Sequence, residues 1–231
     1  MTLSIIIPVL NEAAALRLLL PALLLQRESV ELIVADGGSD DETSSVVTEF
    51  GATLIHAKRG RARQMNAGAA IASGEILLFL HADSQLPSDA FQLVEEAIAN
   101  GKLWGRFDLR LSGKQWLLRV VEQTINWRSC LSGIATGDQA IFLRRDTFES
   151  LGGYADIPLM EDVELSKRLK RLAAPCCIHQ PLMTSSRRWE HYGILRTIFL
   201  MWQMRLAYFL GASPESLAQR YRRSDTAGQG S

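Results

Sequence analysis

Acidic residues gather at three places where an apolar run stops. Asp36, Asp40, Asp41 and Glu42 follow the run in "LIVADGGSDDET", Asp83 ends "LLFLHADS", and Glu161 and Asp162 stand in "PLMEDVEL". A carboxylate just past a buried strand can hold Mg²⁺ or Mn²⁺, ions that engage substrate phosphates while using few protein ligands. The same Asp83 would also suit capping of a helix after Pro87. A basic group complements the acids: Arg59, Arg61 and Arg63 lead into the small-residue stretch of "RGRARQMNAGAAIASGE". Guanidinium planes match the oxygen pairs of a diphosphate. Placed at a helix start they oppose the helix dipole, a local conflict of the kind functional sites show.

The elements that must position these residues can be read from hydrophobic periodicity. Residues 3–9, 30–35, 52–56 and 76–80 are near-continuous apolar runs, the pattern of strands covered on both faces. Helical stretches at 12–25, 41–50 and 61–73 separate them. That β-α-β order predicts an α/β fold with a parallel, right-handed sheet, whose ligands bind at the carboxyl ends of the strands. In the second half, 105–111 and 140–144 read as strands, 114–129 as a helix, and a further helix starts near Met160. Glu161 and Asp162 fall in the first turn of that helix and Lys/Arg in its last, as its dipole favours.

The chain has 231 residues, 47% of them hydrophobic, enough for one substantial core. Lys plus Arg equals Asp plus Glu at 25 each, so no general attraction to nucleic acid is expected. The three cysteines, Cys130, Cys176 and Cys177, fit neither a disulfide framework nor a C-x-x-C metal site, and point to a reducing cytoplasm. Residues 1–10 read as the first strand rather than a leader. Residues 191–212 are strongly apolar, but Arg196 and Arg205 interrupt them, so a docked or interfacial helix is expected in place of a spanning one. They are candidates for contact with the inner face of the cell membrane or for homodimerisation.

Taken in order, "SIIIPVLNEAAAL", "VADGGSDDET", "HADS" and "GGYADIPLMEDVELSKRL" resemble a family 2 glycosyltransferase of the GT-A fold, over residues 3 to about 190. The smaller set "GRARQMNAGA", "HADS", "GDQAIF" and "SSRRW" resembles a small stand-alone bacterial branch, some members of which are associated with arsenosugar biosynthesis. The resemblance implies a Rossmann-like parallel sheet extended by a mixed second half, with C-terminal helices. It divides the chain into a catalytic domain at 1–190, a helical segment at 191–222 and a disordered tail at 223–231.

The resemblance also implies roles. Asp36 would accept from the nucleotide base, with Asp40, Asp41 and Glu42 forming the next helix start, although all four acids would also serve merely to shape a turn. Pro8, Leu10 and Glu12 would lie by the nucleotide, with helix capping by Asn11 as the alternative. Arg63, ahead of Arg61, would meet the nucleotide sugar. Asp83 would be the retained acid of an Asp-x-Asp metal motif whose first acid is His81 here. Asp162 would be the general base, beside Glu161. Asp138 and Gln139 would serve the acceptor or diphosphate, or only a turn, and Arg188 and Trp189 of "SSRRW" would close over the site. The implied activity is inverting transfer from a nucleotide-diphosphate sugar, UDP-linked in the first instance, to an unidentified hydroxyl. A nucleotidyltransferase of similar frame would need a basic Gly-rich signature after the first strand, and "PVLNEAAAL" has none. A catalytically silent nucleotide-sugar binding protein is the other alternative. A dehydrogenase is disfavoured because no G-x-G-x-x-G follows strand one.

Overall fold

The computed structural model describes residues 1–26 and 30–226. Its first half runs β1 (Leu3–Val9), α1 (Ala13–Gln26), β2 (Glu31–Asp36), α2 (Thr43–Glu49), β3 (Thr53–His56), α3 (Arg61–Ile71), β4 (Ile76–Phe79), β5 (Ser84–Gln85) and α4 (Ala90–Ala99). The second half adds β6 (Trp104–Leu111), α5 (Trp116–Ser132), a 3-10 turn at Gly137–Gln139, β7 (Phe142–Arg144), α6 (Arg145–Ser150), α7 (Glu161–Leu172) and β8 (Cys176–Thr184). Helices α8 (Arg187–Tyr192), α9 (Ile194–Phe209) and α10 (Pro214–Thr226) end it.

One eight-stranded sheet runs β3-β2-β1-β4-β7-β6-β8-β5. The first four strands are parallel, as the β-α-β order predicts. Strand β7 enters antiparallel to both β4 and β6, which makes the sheet mixed. Alternate side chains of β1 serve opposite cores: Ile5 and Ile7 join α1 residues such as Leu16 and Leu20, while Ile6 joins Met65 of α3 and Leu165 of α7. The small residues of α3 have a packing reason. A Cβ on Gly68 would stand 2.5 Å from Ile6 Cγ2, so only a helix lacking bulk there can lie on the sheet.

Helix α5 is bound to β6 through polar side chains. Asn126 bonds both the N–H (2.7 Å) and the C=O (3.0 Å) of Leu109, and Glu122 accepts the N–H of Leu111 at 2.6 Å. Arg106, fully buried, is ion-paired with Asp108 and donates to the Asn126 carbonyl at 2.8 Å. A disulfide joins Cys130 of α5 to Cys177 of β8, and Cys176 stays free. The expectation of unpaired cysteines is thereby corrected, and the inference of a reducing compartment loses its support. Sequence spacing misled because the two partners lie on elements that the sheet order brings together. Helix α10 continues through residue 226, into the stretch expected as a tail from 223; residues 227–231 of that stretch lie outside the described residues. Among the described residues, no helix is long and apolar enough to cross a membrane.

Candidate active site

A cleft of about 470 Å³ opens where the carboxyl end of β4 faces α7, α5 and α9. It collects Arg61, Asp83, Asp138, Glu161, Asp162, Arg188 and Trp189 from five separate stretches of the chain. Backbone strain concentrates around it. Asn11, Ala140 and Met160 are the non-glycine residues with positive φ among those described, at 56°, 47° and 69°. Ala140 follows the turn that carries Asp138, and Met160 immediately precedes Glu161 and Asp162, so the acids are held by conformations that L-residues enter at a cost.

Asp162 is fixed by two backbone donors, the N–H of Gly137 to Oδ2 at 2.8 Å and its neighbour Val163 N–H to Oδ1 at 2.7 Å. Burial raises its pKa against those hydrogen bonds, and the charge of Asp138 adds to the rise. Glu161 is 7% exposed, and its pKa is raised first by burial and then by the charge of Asp162. Asp138 has a buried Oδ1 with no hydrogen-bond partner among the described residues. Asp83 is exposed to the cleft even though surrounding protein raises its pKa, with Arg61 and Arg187 acting in the opposite direction. The imidazole of His81 is held neutral, its pKa pulled down to about 3 by burial and by Arg61.

Asp83 lies between β4 and β5, and Ser84 pairs with Thr184 of β8, their hydroxyls 3.1 Å apart. Helix α4 begins at Ala90 with Asp89 at its cap position, so Asp83 does not cap it. A carboxylate free to accept, beside arginines and across from an unpartnered Asp138 oxygen, suits a hard divalent cation shared with phosphate oxygens. Among the described residues no group of three or more His, Cys, Asp or Glu forms a complete metal cage.

The acids of the loop after β2 shape the turn and the helix starts beside it. Asp36, 1% exposed, accepts from the Ser39 N–H at 3.0 Å and from its hydroxyl, with His56 Nδ1 at 3.4 Å, and does not line the cleft. Asp41 accepts the N–H of Ala13 at 3.1 Å and that of Thr43 at 2.9 Å, and so holds the starts of both α1 and α2. The hydroxyl of Thr43 keeps its pKa low. Asn11 accepts the Asp40 N–H at 2.9 Å in place of capping its own helix, and Glu42 pairs with Arg17 at 3.0 Å.

Gln64 donates to the Val9 and Ala35 carbonyls at 2.7 and 2.8 Å, tying the ends of β1 and β2 together. Pro8 and Leu10 are half-buried beside them, outside the cleft lining. Glu12 is half-buried too, and its pKa is raised by burial and then by Asp83.

Arg63 turns away from the cleft to pair with Asp156 at 2.6 Å, and Arg61 takes the cleft position. Arg61 exerts its field on Glu12, His81, Asp83 and Glu161 together. Gln139 is fully buried, bonded to Ser129 Oγ at 3.0 Å and, through Oε1, to the Thr136 N–H at 3.2 Å. It completes the turn and is not placed to touch a ligand. Arg188 stacks over Tyr221 at 4.0 Å, bringing α8 and α10 together at the cleft.

The sequence reading did not assign Arg205 of α9 to the site, yet it lines the cleft and its charge lowers the pKa of Asp162. The signal was available: Thr197, Met201, Met204 and Arg205 recur at helical spacing, and they make α9 a wall of the cleft. The opposite stripe stays outside, with Leu195 and Phe199 each 71% exposed and Phe209 80%.

The sequence profile of Glycosyl transferase family 2 matches residues 4–149, a span that ends before Glu161 and Asp162. The chain is 28% identical to a probable glycosyltransferase, YdaM, of Bacillus subtilis, over 73% of this chain and 46% of YdaM. It is 32% identical to a PGL/p-HBAD biosynthesis glycosyltransferase of Mycobacterium bovis, over 65% of this chain and 62% of that protein. It thus spans about half to three-fifths of the curated relatives it matches. Among solved structures, the mannosyltransferase PcManGT from Pyrobaculum calidifontis, in complex with GDP-Man and Mn²⁺, superposes with a TM-score of 0.66 at 20% identity, covering 94% of this chain and 64% of that one. This likeness shows a shared α/β fold of GT-A type.

Proposed function

We propose, from the premise that this chain belongs to glycosyl transferase family 2, that it transfers a sugar from a nucleotide-diphosphate donor to an acceptor hydroxyl with inversion at the anomeric carbon. The observation that carries this reading is the convergence of Arg61, Asp83, Asp138 and Asp162 on one cleft at the strand ends.

Asp162 is the base. As the acceptor oxygen bonds to the anomeric carbon and the bond from that carbon to the diphosphate oxygen breaks, the hydroxyl proton passes to the Asp162 carboxylate. The nucleoside diphosphate leaves with the electron pair of the broken bond. The two N–H donors orient Asp162 before substrate arrives, and its pKa, raised by burial, makes it a stronger proton acceptor than an ordinary aspartate.

Five carboxylates, Glu12, Asp83, Asp138, Glu161 and Asp162, would repel a diphosphate if nothing offset them. Arg61 and Arg187 offset part of that charge, and Asp83, with the diphosphate oxygens, would hold Mg²⁺ or Mn²⁺. The ion supplies charge neutralisation of the departing diphosphate when bound. Arg188 and Trp189 lie on the acceptor side, and the nucleoside is assigned to the ends of β1 and β2, near Pro8, Leu10, Glu12 and Asp36. Uridine is the first choice of base, and the association of some relatives with arsenosugar biosynthesis remains a proposal for acceptor chemistry.

Incubating the protein with a panel of UDP- and GDP-sugars and Mn²⁺ tests the reading. Release of nucleoside diphosphate that depends on one donor and falls sharply in Asp162→Asn is expected. Tight donor binding with no release, for any donor and equal in the variant, would instead identify a silent binding protein.

A further inference from the structure

The half of the cleft beyond Asp162 is more apolar than a sugar hydroxyl requires. Helix α5 contributes Leu117, Val121 and Ile125 to one wall, and α9 contributes Ile198, Met201 and Met204 to the other. Both helices are anchored to the body of the protein: α5 by its hydrogen bonds to β6, and α9 by Thr197 and Met204, which are 2% and 3% exposed. A polyhydroxylated acceptor would leave hydroxyls facing these side chains without partners, an arrangement that weakens binding.

The apolar lining also includes residues of the outer surface. Val120 and Trp202 line the cleft and are 48% and 67% exposed, so each belongs to the groove and to the outer surface at once. The inner end of the same groove is polar and holds Asp138, Asp162 and Arg205. A groove that joins a carboxylate base to aliphatic walls suits an amphiphile.

We infer that the acceptor is an amphiphilic alcohol, its hydroxyl presented to Asp162 and an aliphatic chain laid between α5 and α9 toward Val120 and Trp202. The inference rests on the reading of Asp162 as the base. It adds the class of acceptor to that reading and leaves the bond changes as written above.

The test uses the full chain with two probes that share a headgroup, methyl β-glucoside and octyl β-glucoside, both below micelle-forming concentration. Calorimetry should give octyl β-glucoside an affinity at least ~10-fold above the methyl compound, well within what the added methylene groups yield on burial. Met201→Gln, in the groove, should bring the ratio toward unity, and Phe199→Gln, on the outer face, should leave it unchanged. Equal affinities in the wild type, or a ratio that survives Met201→Gln and collapses in Phe199→Gln, would overturn the inference.

A second measurement does not depend on how Met201→Gln folds. A chain-brominated octyl glucoside should quench tryptophan fluorescence in the wild type and in Trp127→Phe, and much less in Trp202→Phe. Quenching lost in Trp127→Phe alone would place the chain outside the groove and reject the proposal. Binding of UDP and GDP with Mn²⁺, read in the same preparations, separates the two claims. Intact nucleotide binding with no preference for the octyl chain rejects the amphiphile alone, whereas absent nucleotide binding rejects the transferase reading.

Discussion

Asp162 Oδ2 accepts the backbone N–H of Gly137 at 2.8 Å, so the proposed base and the turn bearing Asp138 are locked to each other across 25 residues of chain. An ionised carboxylate has about four acceptor sites, and two remain after Gly137 and Val163 are counted. Asp162→Asn keeps an oxygen for one of these donors and loses the ability to take a proton. Turnover should drop about 10²-fold or more, the scale of general acid–base catalysis, with donor affinity retained. Single-turnover transfer combined with calorimetric donor binding checks it, and near-normal transfer would remove Asp162 from the mechanism.

Asp83→Ala should weaken Mn²⁺-dependent binding of UDP much more than metal-free binding, since the carboxylate acts through the ion. Titrations with Mn²⁺ and with a chelator distinguish the cases. An equal loss in both would make Asp83 a structural residue.

The pH profile should carry the mark of burial. The base must be ionised, and the pKa values of Asp162 and its neighbour Glu161 are both raised, chiefly by burial. On acidification, kcat/KM should therefore fall at a pH above the ordinary carboxylate range of about 4. A profile flat down to about pH 4.5 would contradict the assignment.

Glu161 should reduce stability when ionised. A carboxyl with a raised folded pKa binds its proton more tightly folded than unfolded. Its contribution to stability is thus greatest in acid and declines as pH rises from the unfolded value, about 4.3, through the folded one. Glu161→Gln removes this titration, so the variant should unfold at a higher temperature than wild type at about pH 8, with the advantage shrinking toward about pH 4. Calorimetric scans at the two pH values provide the measurement, and an advantage independent of pH would contradict the account.

Arg61→Ala should weaken donor binding by roughly 10-fold or more, as expected for loss of a charge-assisted contact, and Arg63→Ala should have little effect. Donor titrations of both variants decide between the observed geometry and the expectation that favoured Arg63.

That pair also shows where reading the sequence succeeded and where it stopped. The parallel strands β1 to β4 were legible because their runs are continuously apolar; Asp83, Glu161 and Asp162, named from their places at element ends, and Asp138, named from the resemblance, line one cleft. Arg61 and Arg63 were named together with Arg63 ahead, whereas Arg61 is the one that lines the cleft. Two residues apart on a helix they point about 160° away from each other, and no local pattern says which side faces the ligand. Asp36 and Gln139 have the residue types of ligands, but the structure spends both on turns, a choice fixed by distant donors such as Ser129. Helix α9 hid its role because both of its faces are apolar, and the division into cleft wall and outer stripe appears only when α5 and α7 take their places. Strand β5, two residues long, carries no periodicity and exists through its pairing with β8.

The Cys130–Cys177 bond, with its partners 47 residues apart, turns that stretch of backbone into a covalent ring. Asp138, Glu161 and Asp162 all lie on the ring, whereas Arg61 and Asp83 lie on open chain. By chain-entropy reasoning a ring of this size removes roughly 4 kcal/mol of freedom from the unfolded chain. The carboxylates that crowd one another are those whose separation on unfolding is tethered, so the side of the cleft bearing Asp138, Glu161 and Asp162 is restrained by connectivity and the side bearing Asp83 by the continuous parallel sheet.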